Sequence, residues 1–120
     1  MTEAKKHLAH VDGVMLGRAA YQEPWRLLAV DRELFGEGAP LPTMKDVFEA
    51  MMPYIEGELA QGTRLHSITR HFVGAFFGMP GARAFRRHLA ENGVKPGAGI
   101  EVLRDAIALV EDGVAASMAA

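Results

Sequence analysis

The sequence predicts a mainly α fold, a small helical bundle preceded by one residual strand–helix unit. Three observations predict it. Apolar residues recur at helical spacing over nearly everything after Pro42, a single β-type run lies near the start, and glycine and proline clusters punctuate the segments between them. A length of 120 residues, 49% hydrophobic and 23% charged, is ordinary for a folded domain.

Thr2 opens a short helix that reaches Leu8. Residues 10–16 then place Val11, Val14, Met15 and Leu16 around Asp12 and Gly13, a strand pattern, and Gly17 leads into a helix near Arg18 or Ala19. An isolated parallel strand leaves its backbone groups unpaired, so its partner strands are expected outside this chain. Residues 21–35 read as one helix with Pro24 near its start and Gly36 at its end. The turn-rich run from Gly36 to Pro42 is the best boundary, dividing residues 1–38 from residues 39–120.

Thr43 and Asp46 have the spacing of an N-terminal cap with an acid three residues on. Val47, Phe48, Met51, Met52, Ile55 and Leu59 follow on one face, with Pro53 bending the helix and Gly62 stopping it. A third helix is expected over residues 64–77, where Leu65, Ile68, Phe72 and Phe76 form a stripe and Phe77 lies off it. After the turn at Gly78, Met79, Pro80 and Gly81, a fourth carries Ala82, Phe85 and Leu89 inward and Arg83, Arg86 and Arg87 outward. Ile100, Leu103, Ile107 and Val110 mark a last helix ending at Gly113.

The charge distribution carries the functional signal. Residues 59–90 hold five arginines (Arg64, Arg70, Arg83, Arg86, Arg87) and three histidines without one acid, although the whole chain has a net charge of −2. A solvated helix face normally mixes both signs, so an acid-free arginine surface points to a polyanion, above all a phosphate backbone. The spacing of His66, His71 and His88 lacks the same-face pairing of a metal site, and no catalytic carboxylate pair stands out. The turn from Gly13 to Arg18 is open to two readings, a plain glycine turn or a phosphate-binding one in which Arg18 assists. No cysteine is present, which removes disulfides and thiol chemistry. No apolar run approaches the ~20 residues of a membrane span and the N-terminus has no signal-peptide character, so the chain reads as cytoplasmic.

Two stretches carry a family resemblance: His10-Val11-Asp12-Gly13-Val14-Met15-Leu16-Gly17-Arg18-Ala19-Ala20-Tyr21, and the run from Ile68-Thr69-Arg70-His71 through Gly78-Met79-Pro80-Gly81-Ala82-Arg83-Ala84-Phe85-Arg86-Arg87. Together with Val30-Asp31-Arg32-Glu33-Leu34-Phe35-Gly36 and Pro53-Tyr54-Ile55-Glu56, they resemble the C-terminal third of tRNA-dihydrouridine synthase, A subfamily. The resemblance implies the end of a flavin-binding TIM barrel (residues 1–38) followed by a helical tRNA-binding domain (residues 39–120). It also implies an enzyme that uses NADPH and FMN to reduce uridines 20 and 20a of the tRNA D-loop.

Carried over by motif, Gly17 and Arg18 would contact the FMN phosphate. Arg83 and Arg86 would lead the tRNA contacts, with Arg87, Arg70 and His71 beside them. The family's catalytic cysteine and most of its barrel have no counterpart here, and Met1 falls at an interior position of the family. A fragment that binds tRNA but is inactive alone is therefore expected, with the missing barrel, or self-association through the unpaired strand, as a further contact. A stand-alone helical RNA-binding module and the end of an FMN barrel acting on a small molecule are the competing readings.

Overall fold

In a computed structural model the protein is described over residues 1–36, 38 and 41–119, with side chains described as far as Val110. Among the described residues seven α-helices follow in order: α1 (Thr2–Leu8), α2 (Arg18–Gln22), α3 (Val30–Phe35), α4 (Met44–Ala60), α5 (Leu65–Thr69), α6 (Ala82–Asn92) and α7 (Ile100–Ala119). A 3₁₀ segment, Pro24–Ala29, joins α2 to α3. The mainly helical class is observed.

The strand expected over residues 10–16 does not form; no strand is present among the described residues. Its physical reason lies in the expectation itself, because a strand exists only through a ladder and no second strand is there to supply one. Residues 13–17 have irregular backbone, and Val11, Val14, Met15 and Leu16 are all exposed.

The helix expected over residues 21–35 is divided. Pro24 pushes Glu23 out of helical geometry (φ −133°, ψ 62°), and the chain resumes as 3₁₀ turns before α3. Gly36 then closes α3 in the left-handed conformation, as a helix-ending glycine should.

The bundle begins at a complete capping box. The Thr43 hydroxyl accepts from the Asp46 N–H at 3.1 Å, and the Asp46 carboxylate accepts from the Thr43 N–H at 2.9 Å. From there α4 runs through Pro53, whose exposed ring faces away from the core. Phe48, Met52 and Ile55 are buried on the inner face against Leu65, Phe85, Leu89, Leu103, Ala106 and Val110. Phe48 is the centre of an aromatic cluster, 5.1 Å from Phe72 and 5.4 Å from Phe76 between ring centroids, with Phe76 a further 4.9 Å from Phe85. Full burial of one such side chain contributes roughly 1.5–3 kcal/mol.

The helix expected over residues 64–77 is short, ending at Thr69. Residues 70–79 continue as successive turns closed by Phe72 N–H to Thr69 O, Ala75 N–H to Phe72 O and Phe77 N–H to Gly74 O, each 3.1 Å. The turns still direct Phe72 and Phe76 to the core, so the apolar stripe is satisfied without a continuous helix. Helix α7 passes through Gly113, where a stop was expected, and continues to Ala119.

Candidate nucleic-acid interface

Helix α6 presents the arginines because its opposite face is committed to the core. Ala82, Phe85 and Leu89 are buried, and at 100° per residue this turns Arg83 and Arg87 outward with only 40° between them, leaving Arg86 half-buried at the margin. Gly81 sets where the helix starts. It has φ 89°, and a Cβ there would lie 2.6 Å from the Leu109 carbonyl oxygen and 2.8 Å from the Val110 Cα, so the α7 backbone passes directly against it. The close approach creates a shallow groove of about 460 Å³ between α6 and α7, lined by Arg83, Arg87, His88, Glu91 and Leu109.

The electrostatics of this face run against helix stability. The first turn of α6 has no acid and no side-chain cap, although the positive end of the helix dipole favours acids there. Arg83 and Arg87 are like charges at i and i+4, an arrangement that costs a few tenths of a kcal/mol. Neither they nor Arg86 makes an ion pair or side-chain hydrogen bond to a described residue. Three guanidinium groups thus keep their donors available to an external anion.

The five arginines do not form one ridge. Arg64 donates to the Val94 carbonyl oxygen at 3.4 Å, at the C-terminal end of α6, far along the helix from Arg83. Arg70 and His71 lie in the turn after α5 rather than on a helix, so the expected pair of helices sharing one cationic surface is not formed. There Arg70 Nε donates to His71 Nε2 at 3.4 Å, and His71 Nδ1 lies 2.9 Å from the Tyr21 hydroxyl.

Tyr21 was not singled out by sequence reasoning. It belongs to a run of contacts that docks the N-terminal region onto the turn. The Tyr21 and His71 rings meet edge to face at 6.0 Å, a Cβ on Gly74 would lie 3.6 Å from the Gln22 carbonyl oxygen, and Trp25 stacks on Phe77 at 6.3 Å with 13° between planes. Phe77, ambiguous by periodicity, is thus an exposed partner of Trp25 and not part of the core. No pattern within either segment signals this run, because its partners lie about 50 residues apart.

Gly17 and Arg18 lie apart from α6 in sequence, at the start of α2. A Cβ on Gly17 would meet only the Met15 thioether, at 3.7 Å, and the exposed Arg18 has no ion-pair partner among the described residues. The Ala20 and Tyr21 N–H groups donate to the Gly17 carbonyl oxygen at 3.1 and 3.3 Å, which leaves those of Arg18 and Ala19 without a side-chain cap. An open glycine, free amides and one cation form a donor set suited to a phosphate. No group of three or more His, Asp or Glu that could hold a metal occurs among the described residues, and no described helix is long and apolar enough to cross a membrane.

Comparison with known proteins gives this geometry a context. The family model described as "Dihydrouridine synthase (Dus)" matches residues 1–111. A tRNA-dihydrouridine(20/20a) synthase of Vibrio parahaemolyticus is 56% identical over 92% of this chain and 34% of its own length. Proteins of the same name from Yersinia pestis and Escherichia coli K12 are 57% and 56% identical over 92% and 93% of this chain, in each case 32% of the relative's length. The chain thus spans about a third of the length of the curated relatives it matches.

Proposed function

The chain belongs to the dihydrouridine synthase family, and from that premise we propose that it is the tRNA-binding portion of a tRNA-dihydrouridine synthase acting on uridines 20 and 20a. The observation that carries this reading is the set of three α6 arginines without ion-pair partners, two of which, Arg83 and Arg87, line the α6–α7 groove at some cost to the helix. Arg83 and Arg87 grip phosphate oxygens in the groove, Arg86 adds a contact at its margin, and Arg70 with His71 reaches the same RNA from the turn. Phosphate contacts of this kind set register and orientation without reading sequence. They hold the tRNA while the target base leaves its stack, at a cost of a few kcal/mol.

Gly17 and Arg18 hold the phosphate of FMN in this reading. The flavin, when bound and reduced by NADPH, supplies the hydride for the uracil ring. The proton donor implied by the resemblance is a cysteine, and none occurs among the 120 residues, so the role of this chain is to bind and orient. The exposed apolar side chains of residues 11–16, with Tyr21, Leu27 and Phe35, face the remainder of a full-length synthase.

A second reading, a helical RNA-binding module without catalytic partners, is favoured by one observation: residues 44–110 bury a core of their own. Titration with FMN separates the two, because the module has no use for the Gly17–Arg18 turn. The test of RNA binding itself is Arg83→Ala. It is expected to weaken tRNA binding and to lower the slope of log K against log salt by about one. Unchanged affinity and slope would overturn the proposal.

A further inference from the structure

We infer that Tyr21 is a positioning residue for RNA binding, which acts through His71 to fix the Arg70 guanidinium. The inference rests on the reading of the cationic surface as a tRNA face, and it adds a residue to it. A guanidinium can only donate, so the 3.4 Å contact from Arg70 Nε makes His71 Nε2 an acceptor. The ring proton is then on Nδ1, and at 2.9 Å it is donated to the Tyr21 oxygen. The two contacts agree on one tautomer: the Arg70 donor needs an acceptor at Nε2, and the Tyr21 oxygen, by accepting from Nδ1–H, holds the ring proton away from it. The phenolic hydrogen is not consumed by this arrangement, and Tyr21 is 60% exposed.

The tyrosine is itself well anchored. Its N–H donates to the Gly17 carbonyl oxygen at 3.3 Å, its ring stands edge to face on His71, and the neighbouring Gln22–Gly74 and Trp25–Phe77 contacts hold α2 against the turn. The anchor matters because Arg70 has no acid to orient it; no ion pair joins it to a described residue. A long side chain in that situation samples many rotamers, and ordering it on binding costs affinity. The imidazole removes part of that cost while leaving the remaining guanidinium donors outward. One relay of two side chains therefore links the turn at Gly17 to Arg70.

Tyr21→Phe keeps the ring contact and deletes the oxygen. In the full chain, long-range ¹H–¹⁵N correlation of the His71 ring should show the proton on Nδ1, and Tyr21→Phe should shift it toward Nε2. A wild-type ring protonated on Nε2, or one unmoved by the substitution, overturns the relay. In tRNA titrations Tyr21→Phe should weaken binding by about three- to tenfold. In an Arg70→Ala background the same substitution should have no further effect on affinity, while its shift in melting temperature stays the same in both backgrounds. Additive losses of affinity would show that Tyr21 does not act through Arg70. Arg83→Ala is the companion control. If Arg83→Ala weakens binding and Tyr21→Phe does not, this inference fails alone; if neither does, the tRNA reading fails with it.

Discussion

Residues 44–110 and residues 1–36 are built from similar proportions of apolar side chains but use them in opposite ways. In the first region Phe48, Ile55, Leu65, Phe85 and Leu103 are at most 1% exposed and meet one another across four helices. In the second, Ala4 is the buried residue, and Met15 and Phe35 are 85% and 72% exposed. The radius of gyration, 16.5 Å, exceeds the ~13.6 Å of a compact chain of this length, which fits a cohesive bundle carrying an appendage. The bundle's sequence specifies its own packing partners. The appendage's sequence specifies a surface, tied to the bundle by Tyr21, Gln22, Trp25 and Leu28.

Matched truncations should expose this difference most strongly. Phe85→Ala removes a fully buried ring from the aromatic cluster and is expected to cost about 3–5 kcal/mol of stability in denaturant unfolding. Phe35→Ala removes the same ring from an exposed site and should change stability by less than about 0.5 kcal/mol. Equal costs would mean that residues 1–36 share the core after all.

A smaller effect sharpens the account of how the bundle begins. The backbone N–H of Thr43, and next its hydroxyl, hold the Asp46 carboxyl below the ordinary carboxylate range. Its stabilising contribution is therefore complete above the unfolded value of about 3.9 and is lost as pH falls through the lower folded value. Asp46→Asn should melt below the wild type at neutral pH, and the two should converge as the pH approaches about 2. A gap that persists unchanged to that pH would contradict the capping role.

Local signals were legible in the sequence, and signals that depend on distant partners were not. The Thr43–Asp46 box spans four residues and forms both of its hydrogen bonds, and Gly36 ends α3 where expected. The outward arginines of α6 follow from the inward Ala82, Phe85 and Leu89 alone. The strand at residues 10–16 was read from side-chain alternation, which records a preference but not whether a partner strand exists. Periodicity likewise carried the third helix too far, because Phe72 and Phe76 reach the same core from a chain of turns. Within the site, Tyr21 and His71 are 50 residues apart, and Arg64 crosses to Val94 over 30. No pattern within a window of one helix contains such contacts.

In the proposed function a local face of arginines without ion-pair partners, and not the net charge of the chain, binds tRNA. Two double charge reversals test it directly, because they change net charge equally. Arg83→Glu with Arg87→Glu alters the bundle's outward face, and Lys5→Glu with Lys6→Glu alters the exposed side of α1. At fixed salt the account predicts that the first pair weakens tRNA affinity on the order of tenfold or more, while the second pair has little effect. Equal losses from the two pairs would contradict it.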